Sequence, residues 1–176
     1  MHSENIRAGR PEDATGLAEF ARHAFDQAFG ALNDPAQLQA YLATSFGLQQ
    51  QTHELRDPAW STRLVERDGE LIAYAQLRTG DTPACIAGTA PLELVRFYLD
   101  ASWHGKGIAD VLMDDVMDTA RARGARTIWL GVWQVNARAI AFYKRRGFRV
   151  VGQKTFQIAA DAQTDWVMAL PLGPDG

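Results

Sequence analysis

Residues 104–109, HGKGIA, combine two glycines, a histidine and a lysine at the point where an apolar helical pattern begins. Glycine permits positive φ angles and lets a ligand approach the backbone closely. The first N–H groups of a helix have no partner within it, and together with the helix dipole they bind anions. The stretch therefore predicts a phosphate-binding turn with a helix starting near Gly107, to which His104 and Lys106 add side-chain donors.

Three kinds of phosphate ligand use a turn of this type. A nucleotide-hydrolysing loop requires a Ser or Thr after its GK pair, and GKGIAD at 105–110 has neither. A dinucleotide-binding loop requires a third glycine, which this stretch lacks, and the strand before it comes late in the chain. The pyrophosphate of coenzyme A (CoA) is the third ligand. A strand-to-helix turn with no ligand stays open as an alternative on these residues alone.

The elements that must position this turn alternate between strands and helices. Hydrophobic periodicity predicts a strand, two helices, a β-hairpin, a strand, a helix, a buried strand, a helix and two paired closing strands. Asp68-Gly69 marks the hairpin, and residues 47–60 are polar, with one helical turn expected before Pro58. Asn136 is expected to cap the last helix, with Gly147 just past its end. With no linker in 176 residues, one mixed α/β domain over residues 1–176 is expected.

Composition excludes several classes of function. A formal net charge of -3 gives no basic face for nucleic acid. The single cysteine, Cys85, excludes an internal disulfide and a cysteine-based metal cluster. No run of about 18 apolar residues and no signal peptide is found, so we expect no membrane association and a cytoplasmic location.

Two stretches together resemble a known enzyme family. HGKGIA at 104–109 and WLGVWQVNARAIAFYKRRGF at 129–148 are similar to motifs of the GNAT superfamily of acetyl-CoA-dependent N-acetyltransferases. Within it, these motifs, AFDQAFG near the N-terminus and QTDWVM near the C-terminus resemble bacterial spermidine/spermine N-acetyltransferases, the type first described as regulators of protease synthesis and sporulation. The resemblance spans residues 5–170. His104 stands where the superfamily has Gln or Arg, so we expect CoA binding to persist with pH dependence around about 6 to 7.

The resemblance implies both a fold and a site for acetyl-CoA. The fold is a single GNAT-like α/β domain with a central mixed, mostly antiparallel sheet, helices on both faces, and a V-shaped splay between the fourth and fifth strands. Arg138 and Lys144 are further candidates for the CoA phosphates. No metal is expected. The residues implied in cofactor binding are Phe97, Tyr98, Leu99, His104, Gly105, Lys106, Gly107, Ile108, Ala109, Asn136, Phe142 and Tyr143.

The implied reaction is acetyl transfer to a primary amine of a small molecule, such as the polyamines spermidine and spermine. The departing thiolate needs a proton, and the resemblance makes Tyr143 its general acid. The amine must be neutral to attack, so a base is needed as well. Glu93, near the start of the fourth strand, is the candidate base, with His53 and Glu54 as others.

The first two helices are expected to form the acceptor site. Asp26 or Asp34 is expected to hold a distal ammonium of a polyamine. Protein or peptide N-acetylation and a non-catalytic CoA-binding regulatory module remain alternatives, and a homodimer paired through the closing strands is compatible with the resemblance. The expected walls of this site are Phe25, Phe29, Asn33 and Tyr41.

Overall fold

A computed structural model describes residues 4–158 and 161–173 of the chain. Seven strands of the described residues form one sheet: β1 (Asn5–Ala8), β2 (Trp60–Arg67), β3 (Glu70–Arg78), β4 (Pro91–Leu99), β5 (Thr127–Trp133), β6 (Arg149–Ile158) and β7 (Asp161–Pro171). The α-helices of the same residues are α1 (Ala14–Phe29), α2 (Pro35–Ser45), α3 (Leu48–Arg56), α4 (Ile108–Ala122) and α5 (Ala137–Arg145). This order confirms the predicted alternation of strands and helices.

The sheet is split between β4 and β5. Its strand order is β1-β2-β3-β4-β5-β7-β6, and every neighbouring pair is antiparallel except β4 and β5. Those two strands pair only through residues 91–93 and 127–129. Beyond that point β4 continues to pair with β3. The strands therefore diverge, which confirms the expected splay and leaves one backbone edge of β4 free for a ligand.

Helices cover both faces of the sheet. Ala73, Ala75 and Leu77 of β3 belong to a core that also contains residues of α4. Tyr74, which points to the other face as alternation along a strand requires, packs with residues of α1 and α2. No helix in the described part of the chain is both long enough and apolar enough to cross a membrane.

Helix α3 is longer than the single helical turn that the sequence predicts for this region. Its inward face is polar, because Gln51 and Glu54 are 0% and 1% exposed. Gln76 of β3 donates to both side chains at 3.2 Å, and Arg96 of β4 donates to Glu54. The hydrophobic pattern missed this helix because buried hydrogen bonds replace the usual apolar stripe.

Candidate active site

The turn before α4 has the backbone geometry that the sequence predicts. Gly105 and Gly107 have φ angles of 73° and 83°, and Gly107 is the N-cap residue of α4. A side chain at either position would meet no neighbour but would be strained by its positive φ. The turn therefore ends at the first N–H groups of α4, which have no side-chain cap and are the donors that an anion site requires.

His104 is held beside this turn by Arg138 of α5. Its Nδ1 lies 2.7 Å from Nη1 of Arg138. Because a guanidinium only donates, we assign the ring hydrogen to Nε2 and the acceptor role to Nδ1. Burial, and secondly the charge of Arg138, hold the pKa of His104 below its ordinary value. Near pH 7 His104 is therefore a neutral donor, and Arg138 adds positive charge next to it.

A cavity of about 400 Å³ runs from this turn toward α5. Two residues expected to bind the cofactor do not line it. The ammonium of Lys106 lies 4.6 Å from the ring centroid of Trp103, and Ile108 is buried in the core. The expected cofactor-binding residues that do line the cavity are Phe97, Tyr98, Leu99, His104, Gly105, Gly107, Ala109, Asn136, Phe142 and Tyr143.

A second, smaller cavity of about 180 Å³ lies where β4 and β5 diverge. It is largely aromatic, and Phe25, Phe29 and Tyr41 are among its walls, where the sequence predicts the acceptor site. Asn33 lies outside the lining, and its amide donates to the Phe29 carbonyl at 2.7 Å. The two cavities share a wall formed by Phe29, Phe97, Tyr98, Asn136, Ala139 and Tyr143.

Tyr143 stands in this shared wall. Its side chain is buried, and its ring packs against those of Phe97, Phe142 and Phe148. Burial raises the pKa of Tyr143, so its hydroxyl keeps its proton at neutral pH. Asn136 caps α5 by accepting from the Ala139 N–H at 3.2 Å and also faces both cavities.

The structure does not bring the three candidate bases together with Tyr143. Glu93 lines neither cavity, and its carboxylate lies 2.5 Å from Arg78 and 3.8 Å from Lys154. Glu54 belongs to the buried network with Arg96. The side chain of His53 is 69% exposed beside Asp57. None of these three side chains lines either cavity, since two are held in ion pairs and the third is solvated.

Neither expected anchor for a distal ammonium reaches the smaller cavity. Asp34 caps α2 by accepting from the N–H groups of Ala36 and Gln37. Asp26 is exposed and lines neither cavity.

A different carboxylate, Asp165 of β7, lines the smaller cavity. It is 6% exposed, and its Oδ1 has no hydrogen-bond partner among residues 4–158 and 161–173. Burial raises the pKa of Asp165 to about 6, against the attraction of Lys154. The sequence reasoning missed this residue. Its signal was a lone charge in the otherwise apolar segment DWVMAL of a closing strand.

Comparison with known proteins identifies the class to which this geometry belongs. The acetyltransferase (GNAT) family model matches residues 19–148. An uncharacterized N-acetyltransferase of Mycobacterium tuberculosis is 33% identical over 160 residues, which are 91% of this chain and 98% of that protein. The chain therefore belongs to the GNAT family of acetyltransferases.

Other relatives have named acceptors. Streptothricin acetyltransferase of Streptomyces lavendulae is 54% identical over 88 residues, which are 50% of this chain and 43% of that protein. The [ribosomal protein bS18]-alanine N-acetyltransferase of Escherichia coli is 27% identical over 138 residues, which are 74% of this chain and 91% of that protein. The proteins similar to this chain thus include an acetyltransferase for streptothricin and one for a ribosomal protein.

A solved structure shows the same fold with CoA bound. The PaiA N-acetyltransferase of Thermoplasma acidophilum, in complex with CoA, has a TM-score of 0.79, covering 97% of this chain and 99% of that one at 19% identity. Membership of the GNAT family of acetyltransferases, and not this likeness of fold, makes acetyl-CoA the acetyl donor of this enzyme. No cluster of three metal-ligating side chains occurs in the part of the chain that the structure describes.

Proposed function

We propose that this enzyme acetylates a primary amine of a small molecule, and that polyamines such as spermidine and spermine are acceptors. The observation that carries the proposal is the shared wall between the two cavities. A cofactor in the larger cavity and an amine in the smaller one would meet at the splay, next to Tyr143. Bringing the two reactants together at one point is the first requirement of direct transfer.

The larger cavity supplies what acetyl-CoA needs. The N-terminus of α4, His104 and Arg138 hold the pyrophosphate, and the free edge of β4 at residues 94–99 accepts and donates hydrogen bonds to the pantetheine amides. Acetyl-CoA supplies the acetyl thioester. Tyr143 donates its hydroxyl proton to the departing sulfur, a role suited to its place in the wall that the two cavities share and to a phenol that is protonated at neutral pH.

The smaller cavity suits an aliphatic ammonium. Aromatic rings attract a cation placed over their faces, and several rings converge here. The cavity contains one carboxylate among its described lining residues, Asp165, while the charge of Arg96 is balanced by Glu54. At about 180 Å³ the space admits a slender amine chain.

Measuring CoA thiol release with a panel of amines tests the proposal. The panel contains spermidine, spermine, streptothricin, a peptide with an N-terminal alanine and a peptide with an internal lysine. Turnover of a polyamine supports the proposal. Turnover of streptothricin alone, which the local similarity to streptothricin acetyltransferase makes the second candidate, removes the polyamine part. Turnover of peptides alone establishes protein acetylation, and acetyl-CoA binding without any product establishes a non-catalytic module.

Tyr143→Phe tests the proposed acid. The hydroxyl of Tyr143 makes no hydrogen bond within the described residues, so its removal leaves no partner stranded. We expect kcat to fall about 10²- to 10⁴-fold, while the Kd for CoA and the Tm stay near wild type. Tyr74→Phe is the matched control, because it removes a hydroxyl that has no partner in the described residues from a tyrosine that is buried and lines neither cavity. Equal rates for wild type and Tyr143→Phe would remove the acid role.

A further inference from the structure

We propose that Asp165 holds the reacting ammonium of the acceptor and takes its proton, so that the amine attacks in its neutral form. The inference rests on the proposed function and names the group that completes its site. It places the catalytic base on β7, whereas the bases expected from the sequence lie on α3 and β4.

The sheet topology brings Asp165 to the splay. β7 lies between β5 and β6, and Asp165 is opposite Trp133, the last residue of β5 and another wall of the smaller cavity. Gly131 of β5 leaves room for the carboxylate. A Cβ there would lie 3.1 Å from Oδ2 of Asp165 and 2.6 Å from Cε of Lys154. The absent side chain thus leaves room for the end of Lys154 next to the carboxylate.

The charges around Asp165 leave its carboxylate only partly balanced. Lys154 attracts it from β6 but also lies 3.8 Å from Glu93. Arg96 of β4 lines the same cavity, yet its guanidinium is engaged by Glu54 and by the Gln76 side-chain oxygen, the latter at 2.6 Å. The other titratable groups in the cavity lining are the tyrosines Tyr41, Tyr98 and Tyr143, which burial keeps uncharged at neutral pH.

A buried oxygen without a donor is unfavourable unless a ligand satisfies it. Oδ1 of Asp165 is such an atom within the described residues. The N–H groups of an ammonium are suitable donors, and they carry the opposite charge. Burial raises the pKa of a carboxylate and lowers the pKa of an ammonium. It therefore reduces the difference between the two pKa values, which makes proton transfer from the ammonium to the carboxylate less unfavourable.

The proton balance of the reaction needs one base and one acid. The ammonium R–NH₃⁺ gives one proton to Asp165 and becomes R–NH₂. Its nitrogen then forms a bond to the thioester carbon, the carbon–sulfur bond breaks, and the sulfur leaves with the electron pair of that bond. Tyr143 gives a proton to the sulfur and recovers one from the nitrogen. The products are R–NH–acetyl and CoA–SH, and Asp165 returns its proton to solvent.

Asp165→Asn, which keeps the shape of the side chain and removes its basicity, tests the assignment. We expect kcat/KM for spermidine at pH 7 to fall at least about 100-fold. The variant should recover at pH 9 to 10, where the free amine loses its proton without help. In wild type, kcat/KM should rise with pH around the Asp165 pKa of about 6, and this acid limb should be absent from the variant. Asp118→Asn, at an exposed carboxylate of α4, is the matched control and should behave as wild type.

A second measurement separates this inference from the proposed function. Calorimetry measures spermidine binding to CoA-saturated wild type and Asp165→Asn, and we expect the variant to bind at least about tenfold more weakly. If wild type acetylates amines and Asp165→Asn has the same rate and the same pH profile as wild type, the inference about Asp165 is wrong while the proposed function stands. The inference is also overturned if Glu93→Gln loses the limb near pH 6 in the profile of kcat/KM and Asp165→Asn keeps it. Binding that depends on Asp165 without turnover contradicts the proposed function alone, and wild type that neither binds nor acetylates any amine of the panel overturns both.

Discussion

Asp165 should destabilise the folded protein at neutral pH, so replacing it by asparagine should stabilise that state. Burial raises the pKa of Asp165 from 3.8 to about 6. One pKa unit corresponds to about 1.4 kcal/mol, so ionising this carboxylate in the folded state costs at most about 3 kcal/mol. Because the side chain faces an open cavity where solvent screens part of the effect, we take about half of this value, about 1.5 kcal/mol.

The direction of the pH dependence follows from the raised pKa. Below pH 3.8 the carboxyl is protonated in both states and its ionisation has no effect on stability. Between 3.8 and about 6 the unfolded chain ionises before the folded one, so the unfolded state gains in stability as the pH rises. Above about 6 the effect is complete and constant. Asp165→Asn should therefore exceed wild type in stability by about 0.5 kcal/mol at pH 4.5 and about 1.5 kcal/mol at pH 7.5.

Urea unfolding of wild type and Asp165→Asn at these two pH values measures the effect. The Asp118→Asn variant removes an exposed carboxylate and should show no such gain at either pH. A gain for Asp165→Asn of the same size at both pH values would show that it does not arise from ionisation. A loss of stability at pH 7.5 would refute the claim that the carboxylate lacks a compensating partner.

Three further variants probe the groups that position the two ligands. Lys154→Met removes the attraction that lowers the pKa of Asp165, so the acid limb of kcat/KM should move to higher pH, and an unmoved limb contradicts the coupling. Gly131→Ala places a Cβ 2.6 Å from the flexible end of Lys154, so we expect about a tenfold loss of kcat/KM with a Tm within about 3 °C of wild type. Turnover equal to wild type would show that this space is not needed. His104→Gln should give a constant ratio of CoA Kd values to wild type from pH 7 to 8, because burial and the charge of Arg138 lower the pKa of His104 and favour its neutral form; a ratio that changes in that range contradicts the neutral state.

The elements that follow from local sequence were predictable, and those that follow from distant partners were not. Asp68 and Gly69 adopt φ angles of 53° and 83°, as the hairpin signal requires. The splay between β4 and β5 came from the family resemblance, since no local pattern tells where pairing between distant strands stops. Helix α3 was missed because its buried face depends on Gln76 and Arg96, which lie on strands further along the chain.

The candidate site divides in the same way. The phosphate-binding turn can be predicted from sequence, because its function depends on backbone geometry and its glycines indicate that geometry. The catalytic base cannot be predicted in this way, since the basicity of a carboxylate depends on the groups that surround it in the folded protein. Glu93 is the expected base because of its place on β4, yet its carboxylate forms ion pairs with Arg78 and Lys154 there. In the sequence, only its apolar neighbours distinguish Asp165 from other polar strand residues. Its place at the cavity follows from the position of β7 next to β5 in the sheet.

The instability that Asp165 causes and the preference for a charged acceptor have the same physical origin. A buried carboxylate whose Oδ1 has no donor among the described residues raises the free energy of the empty enzyme, and a ligand that supplies N–H donors and positive charge removes this effect. An alcohol of the same length fills the same aromatic space without relieving the charge, so it gains only the apolar contacts. Discrimination for an ammonium therefore needs no further contact in the smaller cavity. A stabilising substitution at Asp165 would remove this discrimination together with the base.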